Sequence, residues 1–354
     1  MSPSIKAVPA KPWIETPLIE SATLSKLAGC RIFLKLELLQ PSGSFKSRGI
    51  GNLILAAATN PANQHKSLHF YSSSGGNAGL AAVHAARTLG HPCTVVLPTS
   101  TKPLMLSRLR AAGVTAVIQH GATWADADRY LRAQFIDDKA AAAHGHVAVY
   151  VPPFDDPLIW AGAGTMVPEI AAQLGGSATG GAFPADAVVC SVGGGGLVNG
   201  VIAGLSEYAD ASGRVVQVVA AETRGADSLA HALRAGRLAS LEGITSEATS
   251  LGALCVSETT FEHARAPPEG MKVVSVVGTD AEAARGVLRL ADEMRLEVEL
   301  ACGISLEVAV GGQLKKLVPG LGPESRVVVV VCGGSNITAE MITEYRARLE
   351  AGWE

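Results

Sequence analysis

The sequence predicts an α/β protein built from two open, mainly parallel twisted sheets flanked by helices. Three observations carry the prediction. Short Val-, Ile- and Leu-rich runs alternate with longer stretches of helical period in two successive series, which divide near residue 150. Strands separated by helices join through right-handed crossovers, so neighbouring strands run parallel. Several apolar runs end in glycine-rich turns, SSSGGNAG (72–79), SVGGGGLVNG (191–200) and VCGGSN (331–336). In an open parallel sheet such turns gather beyond the carboxyl ends of the strands, where ligands bind. At 354 residues the chain has the length of about two domains.

In chain order, an opening loop leads to a helix over 21–27 and a strand over 31–36, followed by the polar turn PSGS (41–44). The compact first alternation then has a helix after Lys46, strand 67–72, helix 77–89, strand 93–97, helix 103–112, strand 115–118, helix 123–144 and strand 146–150. The second has helix 157–174, strand 187–192, helix 197–207, strand 215–222 and helix 228–235. Strand 272–277, helices 280–294 and 303–318, strand 326–331 and a closing helix over 337–350 complete it. Residues 175–181 form a glycine, serine and threonine loop. The division expected is a small domain over 41–150 and a large one from 1–40 with 151–354. The last glycine turn lies about twenty residues from the end, which predicts no regulatory domain.

Composition narrows the function. A net charge of −3 shows no basic excess, which argues against nucleic acid and acidic membrane surfaces as partners. The six cysteines, Cys30, Cys93, Cys190, Cys255, Cys302 and Cys332, have no paired spacing and read as reduced thiols of a cytoplasmic protein. His144 and His146 have no cysteine or carboxylate cluster beside them and predict a solvated helix end rather than a metal site. The start, MSPSIKAVPAKPW, has neither an apolar signal core nor a transit-peptide pattern. No apolar run reaches the roughly 18 residues of a membrane span.

Lys46 organises the rest. It lies in PSGSFKSRG (41–49), at the start of a predicted helix. The positive end of the helix dipole disfavours a second cation there, so the ammonium releases its proton more readily and becomes a usable amine. Gly193, Gly194, Gly195 and Gly196 lead into another helix and present backbone N–H groups with no Cβ to block a dianion, which predicts a phosphate site. Ser72–Gly79 is a third polar helix start, suited to a carboxylate. Together with Lys46, these turns suggest a phosphate-bearing aldehyde held as a Schiff base. The main rival is an NAD-dependent oxidoreductase with Glu222 on a ribose. Its G-x-G-x-x-G spacing fails, however, because Val198 or Asn199 occupies the sixth position, and it gives Lys46 no role.

These segments, with VPPFDDPLIW (151–160), ETRGADS (222–228) and VELACG (298–303), resemble in order the catabolic serine/threonine dehydratases of the fold-type II pyridoxal-phosphate enzymes. The resemblance runs from about residue 16 to 336. It implies a large and a small domain with the cofactor, pyridoxal 5′-phosphate, in the crevice between them, anchored on Lys46. Ser74, Gly75, Gly76 and Asn77 would bind the substrate carboxylate, Asn77 also the cofactor's 3′-oxygen. Phe45 would cover one ring face. Cys332 would face the pyridine nitrogen, where a neutral thiol leaves a weaker electron sink that suits elimination. Glu222 with the carbonyls of Gly193, Ala226, Leu251 and Ala253 would form a monovalent-cation site for potassium.

The implied reaction is L-serine to pyruvate and ammonia by β-elimination, with L-threonine giving 2-oxobutanoate, in amino-acid catabolism and gluconeogenesis. The resemblance also implies a cytoplasmic homodimer whose partner is a small-molecule amino acid. A β-replacement enzyme such as a cysteine synthase, and a non-catalytic amino-acid sensor, are the alternatives within the fold.

Overall fold

A computed structural model describes residues 10–137, 145–177, 180–208 and 213–354. Outside it lie His144 with the end of the predicted helix over 123–144, part of the loop at 175–181, and most of the amino-terminal stretch. The described chain folds as two compact units, one from residues 10–14 with Lys46–Pro153, the other from Glu15–Phe45 with Phe154–Glu354. No helix among the described residues is long and apolar enough to cross a membrane.

In the smaller unit β3 (Leu68–Ser72), β4 (Cys93–Leu97), β5 (Ala116–Gln119) and β6 (Val147–Val151) form a parallel sheet in the order β5-β4-β3-β6. The β-branched run CTVVL is buried along its whole length, as a central parallel strand covered on both faces must be. Strand order reverses between β3 and β6, so the turn beyond Ser72 sits at the topological switch point where ligands collect.

In the larger unit β1 (Leu18–Glu20), β2 (Arg31–Lys35), β7 (Ala187–Ser191), β8 (Val216–Thr223), β9 (Met271–Gly278) and β10 (Arg326–Val330) pair as β1-β2-β10-β7-β8-β9. All pairings are parallel except β1 with β2. Here the order reverses between β7 and β10, so the turns at Gly193 and Cys332 both leave from the switch point. The helix Leu300–Val310 is buried at every residue, and its Glu307 accepts from Arg289 Nε at 2.8 Å. Lys35, fully buried, is matched by Glu169 at 2.7 Å and donates to the Thr16 carbonyl at 2.7 Å. A buried cation persists only with such partners.

Four expectations are corrected. Where a loop is expected, Leu18–Glu20 is a strand; three residues carry too little period to be seen and are ordered by antiparallel pairing with β2. The helix over 157–174 divides into Pro157–Gly164 and Met166–Gln173, because Thr165 Oγ1 donates to the Gly162 carbonyl at 2.7 Å and tightens the turn. The helix over 303–318 is two, Leu300–Val310 and Leu314–Leu317, parted at Gly311 and Gly312. The helix Glu258–Arg265 is unpredicted, although Ser257 caps it by accepting from Thr260 N; a Ser followed by Glu was its legible signal.

Candidate active site

Lys46 is the first residue of the helix Lys46–Thr59, half-buried, and its Nζ donates to the Pro153 carbonyl at 2.6 Å. Pro153 follows β6, so the strand's carboxyl end holds the amine. In the same unit, the turn after β3 enters the helix Asn77–Thr88, whose N-cap Gly76 has no side chain to offer the first turn. Ser74 shapes this turn by accepting from Gly76 N at 3.3 Å. The Ser74 carbonyl lies where a Cβ on Gly79 would stand, 1.9 Å from it, so only glycine allows that approach. Ser74, Gly75, Gly76 and Asn77 therefore stand together at a helix N-terminus, the geometry that suits a carboxylate.

In the larger unit, Gly196 begins the helix Gly196–Leu205, and Gly195 before it adopts φ +97, a conformation other residues resist. A Cβ at Gly195 would lie 1.9 Å from Thr260 Oγ1, and one at Gly194 2.3 Å from the Phe154 ring. Close packing on one side leaves a turn of bare backbone leading into a helix N-terminus. Behind it, Ser257 N donates to the Gly194 carbonyl at 3.0 Å, and Thr260 Oγ1 donates to Asn199 Oδ1 at 2.9 Å.

Cys332 follows β10 and is 5% exposed, with Ser191 Oγ at 3.6 Å from its Sγ. Neighbouring Cys302 is buried beside it, and both burial and the hydrogen bond with Cys332 push its thiol pKa up. The Phe45 N–H donates to the Cys332 carbonyl at 3.0 Å. Phe45 packs against the core of this unit.

Glu222, at the end of β8, is fully buried and accepts from the N–H groups of Leu229 at 2.8 Å and Ala230 at 2.9 Å. Burial pushes its carboxyl up to about 8, against the downward pull of those two donors. It therefore serves the first turn of the helix Ser228–Ala235. Gly193 adjoins Leu251, whose carbonyl oxygen would lie 3.2 Å from a Cβ there, and the Gly193 carbonyl accepts from Ser228 Oγ at 3.3 Å. The Leu251 carbonyl accepts from Ala253 N at 2.7 Å. Among the described residues no three His, Cys, Asp or Glu side chains cluster, so a cation here would rest on Glu222 and carbonyls.

A lysine amine at a helix start in one unit and a bare glycine turn at a switch point in the other are features that an α/β enzyme holding a phosphorylated carbonyl cofactor requires. The chain belongs to the pyridoxal-phosphate dependent enzymes, whose family model it matches over residues 10–333. It is 42% identical over 350 residues to the serine dehydratase-like protein of Rattus norvegicus, covering 98% of each chain. It is 39% identical to the L-serine dehydratase/L-threonine deaminase of Bos taurus, covering 95% of each. The solved L-serine ammonia-lyase of the fungus Rhizomucor miehei superposes with a TM-score of 0.83 at 34% identity, over 96% of this chain and 99% of that one.

The residues present fit pyridoxal phosphate. The turn at Gly193–Gly196 admits no side chain on its packed side, and its N–H groups and helix dipole suit a phosphate dianion. Ser44, two residues before Lys46, keeps a buried hydroxyl with no hydrogen-bond partner among the described residues.

Proposed function

We propose that this chain is a pyridoxal-phosphate-dependent L-serine dehydratase that releases pyruvate and ammonia by β-elimination and also converts L-threonine to 2-oxobutanoate. The observation that carries this reading is Lys46 Nζ at the start of its helix, held at 2.6 Å by the Pro153 carbonyl, in a chain whose relatives named for this reaction match it nearly end to end. When bound, the cofactor supplies a carbonyl carbon and a conjugated ring that delocalises an electron pair.

Lys46 would hold the cofactor through its amine, and its free Nζ would accept the substrate's α-proton as general base. The Pro153 carbonyl keeps the nitrogen oriented and stabilises it when charged. Ser74, Gly75, Gly76 and Asn77 bind the carboxylate at the dipole-favoured helix start, which orients the α-hydrogen. Gly193, Gly194, Gly195 and Gly196 would hold the phosphate, Asn77 the 3′-oxygen, and Phe45 would cover one ring face. Cys332 would offer the ring nitrogen a neutral thiol. Glu222, with the carbonyls of Gly193, Ala226, Leu251 and Ala253, would hold potassium. The enzyme acts as a cytoplasmic homodimer in amino-acid catabolism that feeds gluconeogenesis.

Incubating the purified holoenzyme with L-serine and measuring pyruvate tests the reading, with L-threonine and 2-oxobutanoate as the parallel assay. Pyruvate formation that Lys46→Ala abolishes supports it. A yellow protein that binds L-serine without making pyruvate is a sensor and overturns it. Turnover only with sulfide and an activated serine would assign β-replacement instead.

A further inference from the structure

Asp128 lies in the helix Trp124–Leu131, is 9% exposed, and belongs to no segment assigned to the reaction. Its Oδ1 accepts from Ser73 Oγ at 2.6 Å and from Tyr150 OH at 2.7 Å. Its Oδ2 accepts from Arg132 Nε at 2.8 Å, and the Arg132 guanidinium lies 3.9 Å above the Tyr150 ring. Burial raises the carboxyl's pKa, but the bonds from Ser73, Arg132 and Tyr150 outweigh it and leave it below the ordinary value.

The two donors on Oδ1 come from two functional places. Ser73 is fully buried and immediately precedes Ser74, so its side chain is the inward anchor of the carboxylate-binding turn. Tyr150 pairs with Tyr71 in the sheet register and stands three residues before Pro153, which holds the Lys46 amine. Charge-assisted bonds of this length are the stronger kind. One ionised oxygen thus ties the substrate turn to the strand that orients the base.

We propose that Asp128 is a positioning residue for the reaction: through Ser73 it fixes the turn that binds the substrate carboxylate, relative to the strand end that carries the Lys46 partner. The inference rests on reading Ser74–Asn77 as that carboxylate site.

Steady-state kinetics with L-serine on the holoenzyme test it. Asp128→Ala and Ser73→Ala each raise KM about tenfold, the size of one lost charge-assisted bond, and lower kcat by less than about threefold. The double variant is within about twofold of Asp128→Ala, because the Ser73–Asp128 bond is already lost in that single variant. Asp128→Asn, which retains an acceptor for Ser73, recovers most of the affinity. Should Asp128→Ala not fold, Tyr150→Phe removes one anchor and raises KM in the same direction, about threefold. Unchanged KM in Asp128→Ala or Tyr150→Phe, or additive effects in the double variant, overturns the proposal. Ser74→Ala separates the two levels. If it raises KM while Asp128→Ala does not, only the role of Asp128 is lost; if it leaves KM unchanged, the carboxylate reading fails and the proposal with it.

Discussion

The backbone N–H of Phe45 donates to the carbonyl of Cys332 at 3.0 Å, joining two turns 287 positions apart in sequence. Gly334 N donates to the Gly43 carbonyl at 2.9 Å, and Ser44 bridges Gly333 in an antiparallel sense. This short ladder fixes the residue that precedes Lys46 against the turn that follows β10. The joint is made by backbone atoms of PSGSF, not by its side chains.

Replacing Gly333 by alanine tests the joint. Gly333 has φ +83, and a Cβ there would lie 2.4 Å from the Gly43 carbonyl and 2.7 Å from Leu38 Cα. The variant is expected to lose about 3 kcal/mol of stability in urea unfolding, from left-handed strain plus displacement of the ladder. A change below about 1 kcal/mol would show that the ladder yields freely.

Lys46→Ala and Lys46→Arg should both fold, since Lys46 is only half-buried at a helix start. Pyruvate formation is expected to drop by about 10³-fold or more with either, because neither side chain supplies an amine that reaches and deprotonates as lysine does. The visible absorption of the holoenzyme should disappear as well. Borohydride reduction of the native holoenzyme followed by peptide mapping should place the label on Lys46.

Gly194→Ala probes the turn proposed to hold the phosphate. The added methyl would stand 2.3 Å from the Phe154 ring and must push the turn out of place. Overpacking of this kind costs about 1–3 kcal/mol, which, if carried into binding, weakens cofactor affinity about fivefold to a hundredfold. Equilibrium titration of the apoenzyme with pyridoxal phosphate measures it, and unaltered affinity would remove the turn from the cofactor site.

Glu222 gives a pH dependence. Its carboxyl is raised from the ordinary 4.5 to about 8, so the folded chain holds the proton more tightly than the unfolded one. The resulting stability is fully present below 4.5 and is lost as pH rises through about 8. In buffer free of alkali cations, the melting temperature should therefore fall across that interval, and Glu222→Gln should flatten the fall. Added potassium should restore stability at pH 8.5 and do little at pH 5, since only the ionised carboxylate attracts it. Equal effects at both pH values would take Glu222 out of the cation site.

Much of this protein was legible from local pattern. The parallel strands appear as short β-branched runs because burial on both faces leaves no room for alternation, and the glycine turns appear because close backbone approach tolerates no Cβ. The turns that carry Lys46, Ser74–Asn77, Gly193–Gly196 and Cys332 stood out for the same reason, each following a strand in a stretch of special composition, while the roles proposed for Ser74–Asn77 and Cys332 came from the family resemblance. Residues such as Leu18–Glu20 could not, because three residues become a strand only when a partner strand is beside them.

The sequence by itself determined two parallel α/β units, the amine at Lys46 and the glycine turns, since all of these depend on neighbours a few positions away. Only the tertiary structure decided that Glu222 caps a helix through Leu229 and Ala230, that Pro153 holds Lys46, and that Asp128 gathers Ser73 and Tyr150. The physical reason is one of range. Side-chain periodicity and backbone freedom act within a turn or two of chain, whereas a hydrogen bond between Ser73 and Asp128 exists only after the sheet and its helices have packed and excluded water.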